Sequence, residues 1–222
     1  MKKENKFIPY KIATGSSKEL IEKSKKYFQE INKRRSVRYF SNRSVPKEVI
    51  ENIIKTAGSA PSGAHKQPWT FCVISDAKLK LEIRRLAEKE EYENYHGRMS
   101  NSWKADLQHF GTDHIKEFLE VAPYLIVVFK KAYDLDEDGN KSQNYYVNES
   151  VGIAVGFLIS AIHKAGLVTL THTPSPMKFL QKALGRSKNE KAFLLLPVGY
   201  PSKDCIVPDL ERKMLDEISF WF

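Results

Sequence analysis

The feature that most restricts the fold of this chain is an apolar run, VGIAVGFLISAI, at residues 151–162. Only Ser160 interrupts the run, and a histidine and a lysine end it. A membrane-spanning helix needs about 20 apolar residues, so this run is too short to cross a bilayer. It predicts instead a buried helix over about 146–165. The chain has 222 residues, which is enough to bury a core around such a helix within one domain.

Four other segments are typical of β-strands because they are rich in apolar, β-branched and aromatic residues. They are WTFCVIS, PYLIVVF, LVTLTHT and AFLLLPVGY. PYLIVVF does not alternate between apolar and polar residues, which predicts a strand that is buried on both faces. The polar stretch YDLDEDGNKSQN, which follows it, is expected to be a loop.

Helices are predicted around these strands from capping residues and apolar spacing. Ser16 and Glu19 form a capping-box pattern at the start of a first helix, which ends near RRS. Residues 99–120 carry mixed signals, so we expect a mobile, partly helical excursion there. Further helices are predicted at about 45–58, 76–98 and 177–184.

The composition excludes several classes of partner. The net charge of +9 suggests an anionic partner, but there is no zinc-finger spacing, RNA-binding aromatic signature or unbroken Lys/Arg tract that would favour nucleic acid. Cys72 and Cys205 stand far apart without CxxC spacing, so a disulfide framework or zinc site is not expected. The N-terminus is too polar for a signal peptide. These features predict a soluble, cytoplasmic protein that binds neither nucleic acid nor membrane.

Several catalytic and binding motifs are missing. The loop that begins at Asp134 matches the opening of an EF-hand, but its twelfth position is Tyr145 rather than a bidentate glutamate. No histidine has the spacing or the cysteine partner of a metal ligand, so no metal is predicted. The absence of GxGxxG, P-loop and GxSxG motifs argues against a Rossmann site, a P-loop site and an ordinary hydrolase.

The stretch RRSVR, Arg34 to Arg38, places three guanidinium groups and a hydroxyl where the first helix ends. Arginine matches phosphate oxygens with two hydrogen bonds at once, and a serine adds a neutral donor. The pattern therefore favours a phosphate site. By itself it is equally compatible with a solvated helix end.

Longer motifs give the chain a resemblance to a known family. RRSVRYF, APSGAHKQPW and PVGYP resemble the nitroreductase-like flavoprotein superfamily. ENYHGRMS, GTDHIKEFLEVAPYLIVVFK, NYYVNESVGIAVGFLI, GLVTLTHTPSP and LPVGYPSKDCIVPDL resemble its iodotyrosine deiodinase branch, from about residue 33 almost to the C-terminus. The resemblance implies an α+β nitroreductase-like fold, with a central mixed β-sheet flanked by helices. It also implies a domain-swapped homodimer in which each subunit contributes to both FMN sites.

The resemblance also implies how the chain is organised. Residues 1–222 would form a single FMN-binding domain with an N-terminal extension at 1–15. A substrate lid would cover about 84–120. A C-terminal arm, about 203–222, would carry three terminal aromatic residues onto the neighbouring subunit.

The cofactor implied by the resemblance is FMN. Its phosphate would be held by Arg34, Arg35, Ser36, Arg38 and Arg212. Other cofactor contacts would come from Pro61, Ser62, Gly63, Thr171, His172 and Thr173. Thr173 would be the catalytic residue, since a hydroxyl donor against flavin N5 favours one-electron steps over hydride transfer. Read without the resemblance, Thr171 and Thr173 are ordinary strand-end residues.

The implied substrate-binding residues are Ala64, Glu91, Tyr95 and Lys116. Glu91 and Tyr95 are four residues apart, so a helix places both on one face. A glutamate suits an ammonium group, while a lysine and a tyrosine hydroxyl suit a carboxylate. The backbone N–H of Ala64 would face the phenolate oxygen. Without the resemblance, glutamate, tyrosine and lysine on a charged helix are usually solvated.

The function implied is FMN-dependent reductive dehalogenation of mono- and di-iodotyrosine, extended to bromo- and chlorotyrosine, through single-electron steps. The electrons are expected from an external donor, an NADPH-linked reductase or a ferredoxin-type protein. The main alternative is a general NAD(P)H-dependent nitroreductase or quinone reductase, which shares the phosphate cluster but does not need Glu91, Tyr95 and Lys116 together. A flavin-storage protein and a basic RNA-binding protein are further alternatives.

Overall fold

The computed structural model describes residues 7–222. They belong to two compact units, one ending at Arg34 and the other running from Arg35 to Phe222. The first unit contains helix α1, Ser17–Ile31, none of whose residues is buried. The predicted capping box is confirmed, because the Glu19 N–H donates to the Ser16 hydroxyl at 3.4 Å and the Ser16 N–H donates to the Glu19 carboxylate at 2.7 Å.

The second unit is built on an antiparallel sheet of four strands in the order β1-β2-β6-β5. A separate two-stranded hairpin follows β2. The strands are β1 (Trp69–Ile74), β2 (Tyr124–Lys131), β3 (Tyr133–Leu135), β4 (Lys141–Gln143), β5 (Val168–Thr169) and β6 (Glu190–Gly199).

Seven α-helices belong to the described part of this unit, together with a π-helical turn and a 3₁₀ turn. The helices are α2 (Lys47–Gly58), α3 (Ala77–Glu93), α4 (Asn101–Gln108), α5 (Phe118–Val121), α6 (Val147–Lys164), α7 (Lys178–Ala183) and α8 (Leu215–Ile218). A π-helical turn, Asn94–Arg98, continues α3, and a 3₁₀ turn, Gly63–His65, lies in the predicted PSGAH loop. Among residues 7–222, no helix is long and apolar enough to cross a membrane.

The sheet separates two hydrophobic cores, which explains why β2 has no polar face. Leu125, Val127 and Phe129 belong to one core, whereas Ile126 and Val128 belong to the other. The first core is completed by α3, α5 and α7 through Ile83, Leu119 and Leu180. The second is completed by α2 and α6 through Ile50, Ile53, Val151 and Leu158. The prediction of a doubly buried strand is confirmed. The helix predicted near 146–165 is present as α6, but it is buried on one face only, since Ile153 and Phe157 are exposed.

Three predictions about strands need correction. The sheet is antiparallel rather than mixed, and the one parallel pairing recorded within residues 7–222 is the isolated bridge between Ser36 and Thr169. The segment LVTLTHT forms only the short strand β5 and a later single bridge between His172 and Leu195. The stretch predicted as a loop after β2 contains the β3–β4 hairpin, since its ends pair across an acidic turn.

The C-terminal segment of the second unit is irregular apart from α8. Phe220 and Trp221 are 82% and 86% exposed. The expected packing of these aromatic residues on a neighbouring subunit stays a prediction, as does the division of the chain into extension, lid and arm.

Candidate active site

One wall of the candidate site is the chain that leaves β5. Thr171 and Thr173 are exposed and His172 between them is buried, as expected where backbone alternates like a strand. The His172 N–H donates to the Leu195 carbonyl at 2.9 Å, and the Leu195 N–H donates back at 3.0 Å. This pair of backbone bonds fixes the two threonine side chains on the face opposite His172.

The RRSVR segment reaches the same wall through backbone pairing. The Val37 N–H donates to the Thr169 carbonyl at 3.1 Å, beside the parallel bridge of Ser36. Arg38 therefore comes alongside the chain that follows β5. Its guanidinium is half-buried and lies 5.9 Å from the centre of the Phe110 ring.

The opposite wall comes from the end of α3, the π-helical turn and the segment that leads into α5. Together the two walls enclose a cavity of about 200 Å³. Its ionisable and polar lining outside the strand end consists of Arg38, Glu91, Asn94, Tyr95, Thr112 and Lys116. Its apolar lining consists of Met99, Trp103, Leu107, Phe118 and Leu170. Thr171, His172 and Thr173 complete it.

Glu91 and Lys116 form a buried ion pair in this cavity. The Lys116 Nζ lies 3.8 Å from a Glu91 carboxylate oxygen, and the two residues are 4% and 7% exposed. Burial raises the pKa of Glu91 and lowers the pKa of Lys116, and in each case the charge of the partner opposes the shift. Both charged forms thus lack the solvation that water would give them, which favours a ligand that brings an opposite charge to each.

Hydrogen bonds from Tyr95 and Lys116 hold the segment before α5. The Tyr95 hydroxyl donates to the Thr112 carbonyl at 3.1 Å, and the Lys116 Nζ donates to the Thr112 hydroxyl at 3.1 Å and to the Asp113 carbonyl. The Nζ also lies 5.7 Å from the centre of the Tyr95 ring. The three residues predicted to recognise an amino acid are therefore brought together.

Two residues of the strand-end wall have unusual electrostatics. Burial lowers the pKa of Arg38, and within residues 7–222 no carboxylate is recorded as its salt-bridge partner. Burial, reinforced by the positive charges of Lys116 and Arg38, lowers the pKa of His172 to about 3, so the ring is neutral at physiological pH. The His172 Nε2 is buried and has no hydrogen-bond partner among the described residues, and the ring packs edge-on to Phe118 at 5.6 Å.

The PSGAH loop lies elsewhere in the second unit. Its Gly63 N–H donates to the Ser150 hydroxyl at 3.3 Å, at the start of α6. A Cβ on Gly63 would lie 3.0 Å from the Tyr145 carbonyl, so this glycine is needed for close approach to the protein's own backbone. Ala64 is exposed with φ at 49°, a left-handed conformation that is costly for a residue other than glycine and is often found at functional sites.

The predicted site residues are thus only partly assembled within one chain. Thr171, His172, Thr173, Glu91, Tyr95, Lys116 and Arg38 line one cavity. Arg35, Ser36, Pro61, Ser62, Gly63, Ala64 and Arg212 of the second unit do not line it. Arg34 belongs to the first unit. The Ser62 hydroxyl accepts the Gln67 N–H at 2.9 Å, which leaves its own proton to donate.

Two polar lining residues were missed by the sequence analysis. Asn94 follows Glu91 by three residues, so helical spacing could have placed it on the same face. Thr112 gave no such signal, because it lies in an irregular segment and acts through both its carbonyl and its hydroxyl. The apolar lining from α4 was hidden by the mixed pattern of residues 99–120.

Comparison with known proteins defines the class of this fold and site. Residues 31–200 match the sequence profile described as the nitroreductase family. The chain therefore belongs to the nitroreductase family, and its place within that family is among the iodotyrosine deiodinases. The predicted α+β nitroreductase-like fold, with a central sheet and flanking helices, is confirmed.

Three similar proteins support that placement. The iodotyrosine deiodinase of Haliscomenobacter hydrossis is 63% identical over 96% of this chain and 96% of its own. The iodotyrosine deiodinase of Hydra vulgaris is 52% identical over 97% of this chain and 80% of its own. A crystal structure of oxidized iodotyrosine deiodinase bound to FMN and 3-iodo-L-tyrosine has a TM-score of 0.76 and 30% identity, covering 88% of this chain and 100% of its own.

Proposed function

We propose that this chain is an FMN-dependent iodotyrosine deiodinase that removes halide from mono- and di-iodotyrosine, and also from bromo- and chlorotyrosine. The observation that carries the proposal is that Glu91, Tyr95 and Lys116 share one cavity with Thr173. The names of its relatives, and the FMN and 3-iodo-L-tyrosine in the similar crystal structure, agree with it. The reaction replaces a carbon–halogen bond with a carbon–hydrogen bond, takes up two electrons and one proton, and releases halide.

The charges of the cavity match the zwitterionic end of an amino acid. The substrate ammonium pairs with Glu91, and its carboxylate pairs with Lys116 and the Tyr95 hydroxyl. Each buried charge then gains an opposite partner in place of the 3.8 Å pair they form together. Charge-assisted hydrogen bonds of this kind each contribute about 1.5–3 kcal/mol.

The apolar lining suits the halogenated ring. Met99, Trp103 and Leu107 of the lid segment face the cavity, with Phe118 and Leu170. When these side chains cover the ring, they exclude water from the reacting carbon. The backbone N–H of Ala64 donates to the phenolate oxygen, which keeps the substrate deprotonated, and the same N–H can donate to the keto oxygen that forms when the halogen-bearing carbon is protonated.

The residues of the strand-end wall fit the flavin. Arg38 is a half-buried cation with no recorded carboxylate partner among residues 7–222, and the exposed threonine hydroxyls beside it are free to donate. Arg34, Arg35, Ser36 and Arg212 hold the phosphate, Pro61, Ser62 and Gly63 contact the flavin, and Thr173 donates to its N5. Bound FMN supplies the two electrons in single-electron steps. The external donor that replaces them is a reductase linked to NADPH or a ferredoxin-type protein.

The complete site requires a domain-swapped homodimer. The PSGAH loop does not line the cavity of its own chain, so a second copy supplies Ala64 to it. An exposed apolar face is available for that contact on α6, where Ile153 and Phe157 lie beside Gly152 and Gly156. Within residues 7–222, apart from the chain neighbours and nearby backbone of α6, nothing lies within 4 Å of the Cβ positions of the two glycines, so another helix can approach closely. The exposed aromatic residues of the C-terminal arm provide further contact area.

The experiment that tests this function is a titration of the FMN-loaded protein with 3-iodotyrosine, followed by flavin fluorescence. Saturable quenching at micromolar ligand is expected, with much weaker quenching by a ring-reduced analogue of the same charge. Release of iodide by the dithionite-reduced protein would complete the assignment. A flavin signal that ignores iodotyrosine, together with NAD(P)H-dependent reduction of nitroaromatics, would contradict the proposal and favour a general nitroreductase.

A further inference from the structure

Asn94 forms a direct link between the two walls of the cavity. Its side chain is 7% exposed, and its Nδ2 donates to the Ser175 carbonyl at 2.9 Å. The orientation of the amide is consistent with its other contact, since the Arg98 guanidinium lies 3.5 Å from the Asn94 Oδ1 as a donor. No other side chain of the π-helical turn is recorded as bonding the backbone that follows Thr173 within the described residues.

The backbone that carries Thr173 is held at two points. On one side, His172 exchanges two backbone hydrogen bonds with Leu195 of β6. On the other side, the Ser175 carbonyl receives the Asn94 amide. Thr173 lies between these points, and its position therefore depends on both.

Asn94 also lies on the same turn as the predicted substrate contacts. It directly precedes Tyr95 and follows Glu91 by three residues, so the end of α3 and the turn that continues it carry all three side chains. The Asn94 amide therefore connects the turn that carries the predicted substrate contacts to the backbone at Ser175.

We infer that Asn94 is a positioning residue that couples halotyrosine binding in the lid segment to the placement of Thr173. This inference rests on the proposed function. It assigns to Asn94 no contact with substrate or cofactor; the residue acts through the backbone at Ser175. The consequence is that the flavin contact is fully formed only when the substrate is in place.

The test compares three variants by hydrogen–deuterium exchange of the segment 167–177. Asn94→Asp keeps the size of the side chain and removes the N–H donor, and Asn94→Ala removes both. Asn189→Ala is the matched control, because Asn189 is also buried and its Nδ2 donates to a backbone carbonyl, that of Tyr133, at 2.8 Å outside the cavity. Exchange is measured with and without FMN and with saturating 3-iodotyrosine.

In the wild type and in Asn189→Ala, we expect saturating 3-iodotyrosine to slow exchange in 167–177. In both Asn94 variants the slowing is lost even though the ligand is saturating, so weaker binding cannot be the cause. In turnover, loss of one neutral hydrogen bond should lower kcat about three- to tenfold while KM changes less than threefold. A role confined to holding the lid would instead raise KM and leave the exchange response intact.

The outcomes separate the two proposals. If the wild type binds 3-iodotyrosine but shows no slowing in 167–177, or if Asn94→Asp responds like the wild type, the coupling is wrong and the proposed function stands. If the wild type does not bind 3-iodotyrosine at all, the proposed function fails and the coupling falls with it. Failure of Asn94→Ala to fold would leave the decision to the isosteric Asn94→Asp.

Discussion

The two walls of the cavity are held in place by different forces. In the strand-end wall, the segment Thr171–Thr173 is fixed by the backbone hydrogen bonds between His172 and Leu195 of β6, and the buried His172 ring is neutral. The lid wall is fixed by side chains, above all by the Glu91–Lys116 pair and by bonds to Thr112. Backbone pairing survives changes of pH and substitution of side chains, whereas a buried ion pair does not. The pairing of His172 with β6 therefore stays in place, whereas the side-chain contacts of the opposite wall, including the Asn94 bond to the Ser175 carbonyl, can change when a ligand binds.

The largest expected effect comes from removing the lid cation. Lys116→Ala should weaken 3-iodotyrosine binding by about 1.5–3 kcal/mol, because it deletes a charged hydrogen bond and leaves Glu91 buried without its partner. FMN affinity should not change. Isothermal titration of the FMN-loaded protein measures the effect.

Lys80→Ala is the control for that experiment. Lys80 is also buried, but its Nζ donates to the carbonyls of Glu120 and Ala122 outside the cavity. The variant should lose stability and keep its affinity for 3-iodotyrosine. Equal loss of affinity in both variants would show that Lys116 supports the fold rather than the ligand.

At the strand-end wall, acid should lower the free energy of unfolding through His172. The pKa of His172 is about 3 in the folded protein and near 6.5 when unfolded, so below pH 6.5 the unfolded chain binds one more proton. The free energy of unfolding should fall by about 2 kcal/mol between pH 6.5 and pH 5 from this group, and the loss should level off below about pH 3. Urea unfolding at several pH values measures it. His172→Gln should abolish this component, whereas His109→Gln, at an exposed position, should retain it.

At the lid wall, which contains Glu91, Tyr95 and Lys116, acid should weaken the binding of 3-iodotyrosine. Burial raises the pKa of Glu91, so its carboxylate is protonated sooner than an exposed one as the pH falls. A neutral Glu91 cannot pair with the substrate ammonium, and Kd should then rise by up to about tenfold for each further pH unit. Fluorescence titrations of 3-iodotyrosine across the acid range measure it. A Glu91→Gln variant with the same acid dependence as the wild type would contradict the assignment.

The smallest effect is expected at Thr173. Thr173→Ala should leave FMN bound but reduce both the paramagnetic flavin signal in a reductive titration and the rate of deiodination, about three- to tenfold for one hydrogen bond. Thr173→Ser retains the hydroxyl and should recover most of both signals. An unchanged paramagnetic signal in Thr173→Ala would remove this residue from the reaction.

The parts of the fold that the sequence predicts well are those in which one residue pattern determines one structure. The unbroken apolar run of β2 can only be buried on both faces, and the capping box of α1 is a local hydrogen-bond pattern. The direction of strand pairing could not be predicted in this way, because the composition of a strand does not indicate which strand pairs with it or whether the two run parallel. The sheet expected to be mixed is therefore antiparallel.

The site residues differ in the same way, because a sequence pattern marks some of them and not others. Glu91 and Tyr95 were found from helical spacing combined with the family resemblance, because both lie on one turn. Thr112 contributes a backbone carbonyl, which any residue type could provide, and no sequence pattern marks it. The PSGAH loop could be recognised from its residues, but its distance from the cavity of the same chain follows from tertiary structure alone.

The double burial of β2 has a consequence for how this protein can change. Each residue of the strand packs into a core, and adjacent residues pack into different cores. Substitutions in β2 therefore disturb the packing of one core or the other, and a library that varies this strand would consist mostly of unfolded members. Met99 and the two side chains of α4 that line the cavity belong to neither core. New substrate preferences are therefore most accessible, in the laboratory or by natural divergence, through Met99, Trp103 and Leu107.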